Sequence, residues 1–229
     1  MKKKTSSIIY SLIAMGVLLM LTNGCKKDED KSTITDIDGN VYHTVKIGTQ
    51  TWMLENLKVT KYRNGDAIPH VTNGTEWDNL TTGACCDYEN TASNSAVYGK
   101  LYNWYAVADS RNIAPTGWHV ASDAEWTVLA TFLGGLEGAA GKIKEIDTTH
   151  WKSPNGGATN ETGFTALPAG YRLENGGFSE LGISAFFWAA EGRNGIGSWF
   201  WYMHYYHNNL EWMGSIYNNL GFSLRCIKD

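Results

Sequence analysis

Short apolar runs divided by glycine and asparagine fill the second half of this sequence and limit the folds open to it. None of these runs reaches the ten or more residues of an ordinary helix, whereas strands are typically four to eight residues long and bounded by turn residues. Asn208-Asn209 suits a hairpin turn between two of them, because asparagine tolerates a positive φ. The pattern predicts strands at 164–167, 169–172, 185–190, 198–206, 210–217 and 221–227.

The first half predicts another sheet and then a long loop. Between Val41 and Ile47 the side chains alternate in type, with Asp38-Gly39 before this run and Gly48-Thr49 after it. Alternation flanked by such pairs is typical of antiparallel strands joined by tight turns. Residues 61–97 are rich in Asn, Thr and Ser and show no sustained period. We expect this stretch to be irregular.

One helix is strongly indicated. Ser122 and Glu125 have the spacing of a capping box, in which each side chain accepts a hydrogen bond from the other residue's backbone N–H. The apolar residues Trp126, Leu129, Phe132 and Leu133 follow at helical spacing, and Gly134-Gly135 supplies the stop. The pattern predicts a helix with one face in the core. A weaker helical stretch covers about 136–146, although Gly138 and Gly141 disfavour it.

The amino-terminal region has the features of a lipoprotein signal. Lys2, Lys3 and Lys4 precede an apolar run at 8–21, and a short polar stretch leads to Cys25. The run has 14 residues, against the roughly 20 of a membrane-spanning helix. The sequence at 21–25 resembles a lipobox, so we expect cleavage before Cys25 and acylation of this cysteine, which would attach the protein to the lipid bilayer. A transmembrane anchor and an ordinary secretory signal are the alternatives.

The residues after Cys25 indicate where the protein would reside. Residues 26–32 are charged or polar and read as a solvated tether. A lysine followed by acids here resembles the signal that directs some lipoproteins to the cell-surface face of the outer membrane. Without residues 1–24 the chain carries 16 basic and 23 acidic residues, a net charge of −7, so nucleic acid is an unsuitable partner. We therefore predict a signal peptide (1–24), a tether (25–34) and one domain (35–229).

Several phrases of the chain, taken in order, resemble one known family. That family is the Fibrobacter succinogenes major paralogous domain (FISUMP), which occurs on exported bacterial proteins, often lipoproteins, and has no established activity. A more distant likeness, at 117–126, is to formylglycine-generating and sulfatase-modifying proteins. It implies an α+β, C-type-lectin-like fold with short antiparallel sheets, one or two helices and long irregular loops. The FISUMP phrases are DIDGNVY (36–42), IGTQTWMLENL (47–57), YGKLYNWY (98–105), PTGWHV (115–120), DAEW (123–126), GFTALPAGYR (163–172) and SLRCIKD (223–229).

The cysteines leave two possibilities open. An oxidising exterior allows disulfides, so Cys226 could bridge to Cys85 or Cys86, or all three could be unpaired. The FISUMP pattern commonly has a cysteine where this chain has Ala114, so the partner that the resemblance implies for Cys226 is missing. The sequence also lacks the cysteine pair of formylglycine-generating enzymes. We therefore expect no catalytic residue and no enzyme, with a cysteine-dependent oxidoreductase as the least favoured alternative.

Metal and cofactor sites are not indicated. A calcium site needs six to eight oxygen ligands, and the usual lectin motifs for them are absent, so the acids Asp87, Glu89 and Asp109 read as solvated loop residues. His204 and His207 would lie on opposite faces of a strand, which disfavours a zinc pair. His119 reads as a hydrogen-bonded structural residue. The sequence predicts no metal and no cofactor.

The segment Trp199–Tyr206 is the best candidate for a binding surface, because large exposed apolar patches usually mark binding sites. On a strand, Trp199, Trp201, Met203 and Tyr205 share one face and Phe200, Tyr202, His204 and Tyr206 the other. If one face is exposed, sugar rings could stack there; alternatively both faces are packed. We predict a noncatalytic module that binds extracellular polysaccharide or a surface protein, and alternatively a structural part of an adhesin or fimbria-like assembly. The candidate ligand-binding residues are Trp199, Trp201, Tyr202, Tyr206 and Trp212.

Overall fold

The computed structural model describes residues 32–193, 195 and 197–229. The predicted signal peptide and Cys25 therefore lie outside the described residues, and the predicted tether is described only from Ser32. Its last two residues are not a tether, because Thr33 and Ile34 form a strand that pairs with His43 and Tyr42. In the described ranges no helix combines the length and apolar character needed to cross a bilayer.

The described residues contain twelve strands, five short α-helices and one 3-10 helix (Tyr88–Asn90), which confirms the α+β class. The helices are α1 (Gly74–Asp78), α2 (Ala92–Tyr98), α3 (Trp104–Val107), α4 (Asp123–Phe132) and α5 (Ala139–Ile143). The strands are β1 (Thr33–Thr35), β2 (Val41–Ile47), β3 (Gln50–Met53), β4 (Cys85–Cys86), β5 (Leu101–Tyr102), β6 (Trp118–Val120), β7 (Ala169–Arg172), β8 (Phe178–Leu181), β9 (Ser184–Gly192), β10 (Ser198–His204), β11 (Leu210–Ser215) and β12 (Cys226–Lys228).

The strands form two five-stranded sheets and one small ribbon. The first sheet has the order β1-β2-β3-β12-β6, so the carboxy-terminal strand lies beside the amino-terminal hairpin. The second sheet has the order β11-β10-β9-β7-β8 and is antiparallel except at the β7–β9 pair. The ribbon pairs β4 with β5. The strand predicted at 164–167 is wrong: only Ala166 makes an isolated bridge, to Lys144.

Helix α4 confirms the strongest local prediction. The Ser122 hydroxyl accepts from Glu125 N–H, and the Glu125 carboxylate accepts from Ser122 N–H. Trp126, Leu129 and Leu133 are buried, as the spacing predicts. Phe132 is 61% exposed, because its ring lies over the β2–β3 turn at Gly48 instead of entering the core.

Tryptophan rings fill the space between α4 and the two sheets. The Trp126 ring centroid lies 5.0 Å from that of Trp52 on the first sheet and 6.0 Å from that of Trp201 on the second. Phe164 and Phe187 complete this aromatic centre at 5.8 and 5.3 Å. Aromatic pairs at such separations stabilise a core beyond the area that they bury. The core thus joins both sheets into one unit.

Two arginines are buried, and their guanidinium groups are surrounded by carbonyl oxygens instead of carboxylates. Arg172 donates to the backbone oxygens of Val71, Thr72 and Gly176 and lies 4.2 Å from the Trp77 ring. Arg225 contacts four acceptors and the Phe164 ring at 4.3 Å. Within the described residues neither forms an ion pair. Each guanidinium therefore ties several distant backbone segments together.

The predicted irregular stretch 61–97 contains α1, β4 and most of α2, so that prediction is wrong in part. Asp87 is buried and accepts hydrogen bonds from Ser95 Oγ, from Lys100 Nζ at 2.6 Å and from His70 Nε2 at 3.0 Å. Burial acts to raise the Asp87 pKa, but the hydrogen bonds from Lys100 and Ser95 lower it below its ordinary value. Asp87 therefore organises this region, contrary to the prediction of a solvated residue, whereas Glu89 is exposed.

His119 links β6, α4 and the carboxy terminus. Its Nδ1 lies 2.6 Å from Asp229 Oδ1 and its Nε2 lies 2.8 Å from Glu125 Oε1. Partial burial acts to lower the His119 pKa, but the hydrogen bonds to Asp229 and Glu125 outweigh it and raise this pKa. The prediction of a hydrogen-bonded structural histidine is confirmed.

We expect the His119 contacts to stabilise the fold more at acidic than at alkaline pH. Because the folded-state pKa is raised, the contribution is complete below the unfolded-state pKa of about 6.5 and disappears as the pH rises through the folded-state pKa. His119 is partly exposed, so we expect an effect below about 1 kcal/mol. Thermal unfolding at about pH 5.5 and about pH 8.5 should separate wild type from His119→Gln more at the lower pH, because a neutral imidazole keeps only one N–H donor. An equal separation at both values would contradict this assignment.

Candidate functional site

The predicted aromatic strand exists, and most of its first face is buried. On β10, Trp201 and Met203 pack into the core between the sheets. Trp201 is 2% exposed, and its indole N–H donates to Asp123 Oδ1 at 2.8 Å. Trp201 therefore does not belong to a surface site, since no ligand can reach its ring. Trp199 is half-buried at the end of the same face.

Trp212 and Tyr206 are exposed. Trp212 and Tyr202 belong to opposite faces of the sheet, although both border a cavity at the β11 edge. Trp212 on β11 is 48% exposed, and its ring meets that of Trp199 edge-on at 4.9 Å. The Arg193 guanidinium lies 4.5 Å from the Trp199 ring. Tyr206 is 69% exposed beyond the end of β10. The five candidate residues are thus divided between two faces of the second sheet and do not form one platform.

The opposite face of the sheet carries a continuous row of half-buried side chains, which we call the aromatic row. Tyr202 on β10 lies opposite Phe186 on β9 and opposite Glu211 on β11. Tyr171 on β7 lies opposite Ser179 on β8. Ring centroids are 5.6 Å apart for Phe186 and Tyr202 and 4.9 Å apart for Tyr171 and Phe186. The row therefore crosses all five strands with three aromatic rings at its centre.

Loop residues cover one side of the aromatic row and leave its rings partly open. Phe222 stacks on Phe186 at 5.1 Å, and Phe200 packs against both. Phe200 and Phe222 are buried, whereas Tyr171, Phe186 and Tyr202 are only half-buried. The aromatic row thus forms the exposed border of a further group of buried side chains, which includes Trp188, Phe200 and Phe222. Both faces of β10 are therefore packed to a large extent.

Carboxylates give the aromatic row an acidic rim. Burial and the neighbouring Glu211 carboxylate raise the pKa of Tyr202 to about 12. Burial, together with the charges of Glu180 and Glu174, raises the pKa of Tyr171. Both phenols are therefore protonated at neutral pH. They can donate and accept hydrogen bonds beside apolar ring surface.

His204 and His207 extend the row, and the prediction that they lie on opposite faces is wrong. Strand β10 ends at His204 and the chain turns, so the two rings stack with centroids 5.6 Å apart. Each Nδ1 accepts from a backbone N–H, that of Tyr206 at 3.2 Å and that of Asn209 at 3.3 Å. A neutral ring that accepts through Nδ1 carries its proton on Nε2. Burial and the adjacent His207 lower the His204 pKa, which favours this neutral donor form.

A buried lysine holds the turn that carries the histidines. Lys144 Nζ donates to the carbonyl oxygens of His204 at 3.2 Å, His207 at 2.9 Å and Gly156 at 3.0 Å. The ammonium group has three N–H donors, so these three acceptors satisfy it completely. Burial lowers the Lys144 pKa to about 8. Lys144 therefore fixes the conformation of the turn from beneath.

Tyr171 and Phe186 are not among the site residues predicted from the sequence. Both lie in runs that were predicted as strands, 169–172 and 185–190. In the alternation along its strand, Phe186 falls on the same face of the sheet as Tyr202 of β10. The missing information was the register, because β7 pairs with β9 in parallel through Gly170 and Ala185. Such a long-range pairing leaves no local signal.

The three cysteines of the described region are buried and free, so of the two possibilities left open by the sequence, the unpaired one is found and a Cys226 disulfide is not formed. Cys226 lies on the first sheet, whereas Cys85 and Cys86 lie on the β4–β5 ribbon. Burial raises the pKa of Cys85 and Cys226 to about 12 and that of Cys86 to about 11. Reactive thiols have lowered pKa values, so these three have the character of packing residues. Among the described side chains no group of three or more suits a metal ion.

Comparison with known proteins gives one finding. The protein-family model of the Fibrobacter succinogenes major domain matches residues 45–228. Neither a curated protein nor a solved structure matches the chain significantly. The matched region contains both sheets except β1 and the first part of β2, together with the whole aromatic row. The chain therefore belongs to the Fibrobacter succinogenes major domain family.

Proposed function

We propose that this chain is a lipid-anchored surface protein whose domain binds extracellular polysaccharide and catalyses no reaction on it. The observation that carries the proposal is the aromatic row. Three half-buried rings lie on adjacent strands, and two of them, Tyr171 and Tyr202, carry protonated phenol groups. The Glu211 carboxylate and the ring of His204 lie beside Tyr202 on the same face. Binding sites commonly combine apolar aromatic surface with a few placed polar groups.

A sugar chain matches this arrangement better than a small apolar ligand does. A pyranose ring has an apolar C–H face that packs on aromatic rings and hydroxyl groups around its edge. The row offers ring surface along its centre, and Tyr202, Glu211 and His204 offer donors and acceptors beside it. The row is open and extends over five strands, which suits a polymer. A surface protein is the alternative ligand.

A noncatalytic role has two supports. The buried cysteines have raised pKa values, which disfavours thiolate chemistry. The family to which the chain belongs is not known as an enzyme family.

The proposed location rests on the amino-terminal sequence. The lysines, the apolar run and the lipobox-like residues before Cys25 support acylation of Cys25, and the acidic residues that follow support the outer face of the outer membrane. We also propose a C-type-lectin-like architecture. It is supported by two short-stranded sheets, few short helices and long connecting loops.

Tyr202→Ala should weaken polysaccharide binding at least about tenfold, because it removes a central ring and a phenol hydroxyl. The measurement is a glycan array followed by calorimetry with the full-length chain. Tyr202→Phe keeps the ring and should lose only part of the affinity. Tyr217→Ala, at an exposed tyrosine outside the row, is the matched control and should bind like wild type.

Two results would contradict the proposed site. One is equal binding by wild type and Tyr202→Ala. The other is equal weakening in Tyr202→Ala and Tyr217→Ala, which would indicate nonspecific contact. If wild type binds no glycan while a surface protein is captured and lost in Tyr202→Ala, the protein-ligand alternative would replace the polysaccharide proposal.

A structural role in a surface assembly is the second candidate function. The observation that favours it is the outer edge of β11, where an edge strand of the second sheet carries exposed apolar side chains. Stoichiometric co-purification of a protein partner would support this role.

A further inference from the structure

Strand β11 is an edge strand whose outward backbone groups are largely unpaired. The N–H of Leu210 points away from β10 and donates to Leu136 O at 2.9 Å. In an antiparallel pair every second residue points its backbone groups to the same side. Trp212 and Gly214 therefore also present their N–H and C=O groups outward. Within the described residues no backbone partner meets these four groups.

This edge also lacks the usual protection against pairing with another chain. Natural edge strands carry lysine, proline or bulges, or are covered by other segments. Strand β11 contains neither lysine nor proline, and its one charged side chain, that of Glu211, lies on the face of the aromatic row. Only its first residue is covered, by Leu136. Trp212 and Met213 are 48% and 52% exposed, and Ile216 just beyond the strand is 65% exposed. An unprotected edge with exposed apolar side chains is suited to strand addition.

We propose that the chain self-associates by antiparallel pairing of β11 with β11 of a second copy, about a two-fold axis through Met213. The outward residues Trp212 and Gly214 lie symmetrically on either side of Met213. With this axis, Trp212 of each copy faces Gly214 of the other, and the two pairs form four backbone hydrogen bonds. An axis through Trp212 would form only two, because Leu210 is occupied by Leu136, and it would bring two indole rings face to face.

Side-chain space and charge agree with the Met213 axis. Gly214 has no side chain, and the Arg193 guanidinium lies where a Cβ would be, against Trp199 at 4.5 Å. Trp212 of the second copy would cover the other side of this guanidinium, so Arg193 would lie between two indoles. Glu211 would face Ser215, so no like charges are opposed. A second copy of the chain therefore fits this edge, and it is available wherever the protein itself is present.

The proposed self-association is independent of the proposed ligand site.

The pairing also predicts a short distance between the two chains at the two-fold axis. Met213 faces Met213 of the second copy as a non-hydrogen-bonded antiparallel pair, with Cα atoms about 4.5 Å apart. This separation lies within the range that a disulfide can span.

The test is oxidative crosslinking of the full-length chain in mild detergent. Met213→Cys should form a disulfide-linked dimer, whereas Phe132→Cys, also exposed and apolar but on α4, should stay monomeric. Adding Trp212→Lys to Met213→Cys should reduce the dimer at least about tenfold, because a lysine guards the edge. Unchanged thermal unfolding of each variant would establish that it is folded.

Three outcomes would overturn the proposal. The first is absence of a dimer in folded Met213→Cys. The second is equal dimer yield in Met213→Cys and Phe132→Cys. The third is a dimer that Trp212→Lys leaves unchanged, since that dimer would not use the β11 edge.

Discussion

Arg225→Met is expected to lower the free energy of unfolding by about 4 kcal/mol or more. The guanidinium is 1% exposed and joins three segments that are far apart in sequence. It donates to Met53 O at 2.9 Å, to Leu54 O, to Phe164 O at 3.0 Å and to Asn56 Oδ1 at 2.9 Å. Methionine has no donor, so four acceptors would lose this partner in the core. A buried acceptor without a partner costs about 1–3 kcal/mol.

One effect opposes this loss. Burial of the charge is itself unfavourable, and it lowers the pKa of Arg225 to about 9. Methionine removes this desolvation cost, so the net effect is smaller than the sum over the four acceptors. The loss of hydrogen bonds to the carbonyl oxygens outweighs this gain, because the backbone segments that carry them cannot rearrange without disturbing β3. Since domains are typically stable by about 5–15 kcal/mol, the variant should be close to unfolding.

Urea unfolding followed by tryptophan fluorescence measures this change. Arg225→Lys keeps a positive charge and three donors, so it should lie between wild type and Arg225→Met. Arg193→Met is the surface control and should change the unfolding free energy by less than about 1 kcal/mol, as is usual for surface positions. If Arg225→Met unfolds at the same urea concentration as Arg193→Met, the carbonyl contacts do not stabilise the fold as argued.

The features that the sequence predicts are those fixed by neighbours along the chain. The capping box of α4 needs only Ser122 and Glu125, and the β2–β3 hairpin needs only an alternating run and the turn at Gly48-Thr49. Both are confirmed. Strands β9, β10 and β11 also lie within or close to their predicted ranges. In each case the partner is within the same helical turn or is the next strand along the chain, so the local pattern contains much of the information.

The features that the sequence does not predict depend on distant segments. Asp87 is buried because His70 and Lys100 converge on it. The aromatic row exists because β7 pairs with β9, which brings Tyr171 beside Phe186. The histidine pair forms because Lys144 holds the turn after β10. None of these partners could be inferred from spacing, because a shift of one residue in strand register would exchange the faces.

Cys25→Ala is expected to change the location of the protein from almost fully membrane-bound to released. Acyl chains contribute about 0.8 kcal/mol of membrane affinity per buried methylene, and several chains together make binding nearly irreversible. Alanine cannot carry a thioether-linked diacylglycerol. Incorporation of radiolabelled palmitate and fractionation of membranes from soluble material measure the change.

The control distinguishes the anchor from a general effect of losing a cysteine. Cys226→Ala removes a buried, free thiol in the first sheet, so this variant should keep both the palmitate label and the membrane location. Persistent label in Cys25→Ala would overturn the acylation of Cys25. Loss of the palmitate label with continued membrane binding would favour the transmembrane alternative. In that case the apolar run of 14 residues at 8–21 is not cleaved and anchors the protein without lipid. Release of a folded, unlabelled domain is the outcome that lipid anchoring through Cys25 requires.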